Sequence, residues 1–174
     1  MRAIESKLTM ETLPKIKTTA VDFIVEISGW LLFVALWVIT FYSYSRMPEI
    51  IPTHYNGSGV VDDYGSKSTF LSLPIVGSVL FIGMYFLMNF IRTVKPSESF
   101  SIEYGLKLLT KAKRMLRYLT VSVVLVFTLL VFQTYRVATE QIADLGTWFT
   151  PFALGLIFIP MLYFMGSILF TKAE

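Results

Sequence analysis

The side chains best suited to chemistry lie in one polar stretch, MPEIIPTHYNGSGVVDDYGSKSTF, residues 47–70. It holds His54, the sole histidine of the chain, with Asn56 two positions on and Asp62 and Asp63 beyond a glycine-rich turn. Residues two apart in extended chain project to the same side, and a reversal at Asn56–Gly59 would bring Asp62 or Asp63 back beside His54. Two chemistries compete for these groups. One is a divalent metal held by His54, Asp62 and Asp63. Zinc ordinarily takes several histidines or cysteines. Calcium or magnesium wants more oxygens than the loop offers, so Glu49, Glu140, Asp144 or backbone carbonyls would have to help. The other is a hydrogen-bonded loop in which His54 ties to an aspartate, Asn56 caps its own turn and Lys67 meets a carboxylate; the ligand count favours this one. For catalysis a His–Asp pair needs a nucleophile. Only Ser58, Ser66 and Ser68 stand nearby, in no GxSxG or HExxH frame. The expectation is a non-enzymatic protein with no cofactor, the divalent metal at His54 being the alternative.

The elements that position this loop are hydrophobic. Of 174 residues, 55% are hydrophobic and 16% charged, well under the roughly 25% charged fraction of a soluble domain. Four apolar runs approach the roughly 20 residues that cross a bilayer, at 25–43, 70–91, 119–133 with a helical lead-in, and 148–170. Unpaired backbone groups are not tolerated in lipid, so these runs must be helices. The expected fold is all-α, an integral membrane four-helix bundle: an N-terminal arm over 1–24, then a four-span domain over 25–174. The first run follows a polar arm and lacks a small-residue cleavage site, which marks a retained span and not a signal peptide. No cysteine is present, which excludes disulfides and thiol chemistry.

Basic residues give the expected orientation. Arg2, Lys7, Lys15 and Lys17 precede the first span, seven lysines and arginines lie between the second and third, and the third loop has Arg136 alone. Both termini are thus expected in the cytoplasm and the polar loop on the extracytoplasmic face. Before the third span, FSIEYGLKLLTKAKRMLRYL alternates apolar positions with Lys107, Lys111, Lys113, Arg114 and Arg117, a cytoplasmic helical extension read as a membrane-surface anchor for anionic lipid, with an acidic partner as the sharper alternative. Pro96 and the serines of TVKPSES end one helix and cap the next. The spans hold only mild polar residues such as Thr40, Ser78 and Thr128, with Glu26 near an end; no carboxylate falls at mid-span, which disfavours a proton-coupled pump. Pro74 and Pro160 interrupt the second and fourth spans, as simple curvature or as a kink with a cavity opposite.

Within the loop, Pro48 and Pro52 stiffen the chain, NGSG is a strong turn signal and DDYG reads as a second turn. Ser66, Ser68 or Thr69 can cap the second helix. The spacing of Pro48, Ile51, Pro52, His54, Asn56, Gly59, Asp62 or Asp63, Gly65, Ser66 and Lys67, with LSLPIVG following, resembles a bacterial membrane domain of unknown function that also forms the N-terminal part of SdpI-like immunity proteins. The likeness spans about residues 25–92, with Met47 where that pattern has leucine. It implies a bacterial inner-membrane protein whose loop residues Pro52, His54, Asn56, Gly59, Asp62, Asp63, Gly65, Ser66 and Lys67 form a binding motif for a peptide, lipid or protein. SdpI-like proteins are longer, so immunity or signalling is implied only through this portion. The partners expected are the bilayer, a ligand on the extracytoplasmic face and further copies of the chain, with no direct nucleic acid contact. A small transporter or channel built on the proline kinks is the third reading.

Overall fold

In a computed structural model the chain is described over residues 18–91 and 101–171. Most of the N-terminal arm, Pro96 with its neighbouring serines, and Lys172 lie outside the described residues. Helix α1 (Ala20–Tyr44) begins five residues before the expected span because Thr19 caps it: its hydroxyl accepts from the Asp22 backbone N–H while the Asp22 carboxylate accepts from the Thr19 N–H, a reciprocal box that satisfies two free donors. Strands β1 (Ile50–Tyr55) and β2 (Val61–Ser66) follow, then a 3-10 turn over Lys67–Leu71 and helix α2 (Ser72–Phe90). Helix α3 (Ile102–Ala138) and helix α4 (Phe149–Leu169) complete the chain.

All four helices are long and apolar enough to cross a membrane. The lead-in and the third span are one unbroken helix. At about 1.5 Å per residue, the 37 residues of α3 extend roughly 55 Å, well beyond a hydrocarbon core of about 30 Å. This helix is the hub against which α1, α2 and α4 pack. Leu36, Phe81, Val124 and Val131 form the core between α1, α2 and α3, and Met47, Ile51 and Phe70 close it at the hairpin end. Gly77 lets α2 approach closely: a Cβ there would lie 3.1 Å from Phe127 and 3.3 Å from Leu36.

Three threonines and a serine of the spans are satisfied locally, whereas the buried Ser43 hydroxyl of α1 has no partner among the described residues. Thr40, Thr120 and Thr128 each donate to the carbonyl four residues back at 2.7 Å, the hydroxyl substituting for water. Ser78 donates to the Pro74 carbonyl at 2.6 Å and accepts from the Trp37 indole at 3.0 Å, so the polar tie between α1 and α2 falls one turn after the proline.

Candidate functional site

The polar stretch is a β-hairpin. Asn56 and Gly59 make its reversal: the Asn56 side-chain oxygen accepts the N–H groups of Ser58 at 2.9 Å and Val60 at 3.1 Å, and Gly59 adopts φ +81°, which glycine reaches without a Cβ clash. DDYG is not a turn, contrary to the sequence expectation; Asp62–Gly65 run within β2. One reversal suffices to pair the strands, and Val61 and Tyr64 favour extended chain. Ser66 caps the 3-10 turn through Ser68 N–H at 3.4 Å.

Strand pairing is antiparallel, with Ile50 opposite Ser66, Ile51 opposite Gly65 and Pro52 opposite Tyr64. Two irregularities follow, so His54 pairs with Asp63 and Tyr55 with Val61. The first leaves Thr53 unmatched on β1 and the second Asp62 on β2, so the bulges compensate and the register recovers. Two side-chain pairs cross the bulged region. His54 Nδ1 meets Asp62 Oδ1 at 2.6 Å, and the Thr53 hydroxyl donates to Asp63 Oδ2 at 3.2 Å. Gly65 makes room for the second pair, since a Cβ there would come within 3.0 Å of Thr53.

The carboxylates therefore divide. Asp62 meets His54 and Asp63 meets Thr53; Asp144 accepts from the Gly146 N–H at 2.8 Å, and Glu49 lies 4.0 Å from Lys67. Among the described residues no three histidine or acidic side chains converge as metal ligands. Lys67 lays its ammonium 4.9 Å from the Tyr44 ring centre, a cation–π contact. The His54 side chain is 67% exposed. With Nδ1 occupied by Asp62, Nε2 is the ring nitrogen left to bond elsewhere.

The hairpin is docked, not free. The Gly59 carbonyl accepts the Leu145 N–H at 3.0 Å, and the Tyr55 hydroxyl donates to Thr134 of α3 at 3.2 Å. Tyr55 and Val61 pack on the cluster of Val137, Leu145 and Phe149. Burial pushes the Tyr55 phenol above the usual tyrosine range, with Tyr64 adding to the rise and Thr134 opposing it. Beneath the hairpin lies a cavity of about 290 Å³, bounded by Thr53, His54, Tyr55 and Asn56 on one side and by Leu73, Leu130, Leu145, Phe149 and Thr150 on the other. An apolar floor with a polar rim on one wall is the arrangement of a small ligand site.

At the opposite end, the basic segment of α3 turns largely inward. Arg114 grips Asp22 through Nε at 3.1 Å and Nη2 at 3.3 Å. Arg117, 4% exposed, reaches Asp22 with Nη1 at 3.3 Å and Glu26 with Nε at 3.2 Å. Lys111 donates to the Ser167 carbonyl at 2.8 Å and the Thr171 hydroxyl at 2.9 Å, and Lys113 is buried. Lys107 pairs with Glu103 at 3.0 Å. Sequence reasoning missed this network. Its available signal was Asp22 and Glu26, four apart on an apolar helix, with Arg114 and Arg117 three apart on another, spacings that each put two charges on one face.

Fold and site together define a four-helix membrane-type protein with a docked β-hairpin at one end and an ion-pair cluster at the other. A family model described as a domain of unknown function (DUF1648) matches residues 31–77, from the middle of α1 through the hairpin to Gly77. An uncharacterized protein of Archaeoglobus fulgidus is 41% identical over 44 residues, which make up 25% of this chain and 24% of that protein. The aligned part thus spans about a quarter of either protein. No solved structure matches.

Proposed function

We propose that this is a non-enzymatic integral membrane protein of the bacterial inner membrane whose hairpin recognises a peptide on the extracytoplasmic side. The observation that carries this is the 290 Å³ cavity, which joins hairpin residues to the ends of three helices and is of a size to take an apolar side chain, with His54 Nε2 at its rim for the peptide backbone. The distribution of lysine and arginine supports an outward hairpin and cytoplasmic termini. The resemblance to the N-terminal part of SdpI-like immunity proteins supports a peptide over a lipid.

The test is binding of a panel of fluorescent amphipathic peptides to purified protein in detergent, wild type beside Leu130→Trp, which fills the cavity, and His54→Ala, which clears its rim. Saturable binding weakened about tenfold in either variant, corresponding to about 1.4 kcal/mol, is expected; binding unchanged in both variants sinks the reading. Orientation is tested separately. The chain has no cysteine, so Ser58→Cys should react in intact cells with a membrane-impermeant maleimide.

A second reading, a divalent metal, draws on the His54–Asp62 pair. A carboxylate behind one imidazole nitrogen orients the other toward a metal, with further donors supplied by a second copy or by the ligand. Metal content near one equivalent per two chains, lost in His54→Ala, would put this reading first.

A further inference from the structure

A cavity larger than the one beneath the hairpin lies away from it, at the end where α1 begins. It measures about 650 Å³ and runs between α1, α3 and α4. Thr19, Asp22 and Arg114 form its polar part, while Val21, Tyr118, Ile159, Pro160, Tyr163 and Phe164 form the rest. The groove exists because α4 packs chiefly on α3, which leaves space between α4 and the start of α1. Pro160 lies on its wall; a proline in mid-helix cannot donate to the carbonyl four residues back, here Leu156, and loosens the helix there.

Its charge is unbalanced. Among the described residues, the carboxylates that meet Arg114 and Arg117 are Asp22 and Glu26. Lys111, one turn before Arg114 on the same face of α3, bonds only to neutral acceptors, Ser167 and Thr171. Arg114 engages Asp22 through Nε and Nη2, and among the described residues its Nη1 has no partner. The groove's own lining pairs Arg114 with Asp22; the surplus positive charge is that of Lys111, one turn beyond the lining on α3, where it bonds to Ser167 and Thr171 past the Phe164 end of the groove.

We propose that this groove is a specific site for one anionic phospholipid. The headgroup phosphate meets Arg114 and Lys111, and one acyl chain lies along Ile159, Pro160 and Phe164. A phosphate with negative charge complements the surplus cation, whereas a zwitterionic headgroup brings its own cation into the same place. The site is separate from the hairpin and stands or falls independently of the peptide reading.

The experiment is native mass spectrometry of the full chain released from detergent after equilibration with phosphatidylglycerol or phosphatidylcholine of identical chains. Wild type should retain one phosphatidylglycerol per chain with about fivefold preference over phosphatidylcholine, the effect of about one basic group at a membrane surface. Lys111→Gln should abolish that preference. Ile159→Trp, which narrows the groove without touching an ion pair, should reduce retention of both lipids while the melting temperature holds. Equal retention of the two lipids by wild type overturns the proposal. So does undiminished phosphatidylglycerol on Ile159→Trp, or a dimer that excludes lipid from the groove.

Discussion

The carbonyl of Gly59, at the tip of the hairpin, accepts the backbone N–H of Leu145 from the α3–α4 connection at 3.0 Å. A Cβ on Gly59 would sit 2.6 Å from the Gly146 carbonyl oxygen, and Gly59 also has φ +81°. Backbone strain and steric contact therefore act at one atom. Gly59→Ala should destabilise the protein by about 2 kcal/mol, within the range for a non-glycine residue held at positive φ. Hydrogen exchange should report the loss first at Leu145 and Val60. Exchange unchanged at Leu145 would mean that the tip is not anchored there.

The Arg117 guanidinium makes the ion pair most sensitive to loss of one member. Its side chain is 3% exposed and bridges Asp22 and Glu26, so removing it leaves Asp22 with Arg114 alone and takes from Glu26 its cation. Arg117→Ala should cost about 3 to 5 kcal/mol, as when one partner of a buried pair is deleted. A triple change, Asp22→Asn with Glu26→Gln and Arg117→Met, should recover most of that loss. Thermal unfolding in detergent checks both. If Arg117→Ala melts with wild type, the network carries no stability.

What could be read from the sequence depended on how local the determining interactions were. Asn56 and Gly59 announce their turn because each acts within four residues, and the four apolar runs announce helices because lipid leaves the backbone no alternative. The strands around the turn were not legible: β1 carries Pro52, and the hairpin's pairing depends on two bulges and on Tyr55 docking to Thr134, 79 residues away. The basic segment of α3 was harder still. Counting lysine and arginine treats each as solvated, whereas Arg114 and Arg117 meet carboxylates more than 90 positions earlier in the chain. That proximity arises from helix packing, which periodicity does not specify. Of the residues singled out for metal, His54 and Asp62 meet while Asp63 turns to Thr53, a division set by the bulges.

Close packing at Gly77 gives a prediction of opposite kind, an excess of volume. Phe127 and Leu36 lie within van der Waals reach of a Cβ there, and Phe127 belongs to the hub helix. Gly77→Leu should force α2 away from α3 at a cost of about 1 to 3 kcal/mol. Gly83, with nothing within 4 Å of a Cβ, is the internal control: Gly83→Leu should melt close to wild type. Equal effects at the two glycines would contradict the packing.

Tyr55 links stability to pH. Its phenol is pushed up by burial, so the folded state prefers the neutral form more than the unfolded chain does. The contribution is fully present below the ordinary tyrosine value of about 10 and is lost as pH rises through the raised folded value. Unfolding measured from neutral pH up to about 11 should show stability falling at the alkaline end. Tyr55→Phe should flatten part of that fall because phenylalanine has no proton to lose, while costing about 1 kcal/mol near neutrality for the hydrogen bond to Thr134. Thr134→Val separates the two effects: it removes the hydroxyl whose hydrogen bond opposes the rise, since it can turn to donate to the phenolate, yet leaves the buried phenol, so the alkaline loss should persist and steepen. If the variants with and without the Tyr55 hydroxyl lose stability in parallel above pH 10, the loss originates elsewhere and the hairpin is not seated on α3 through this ring.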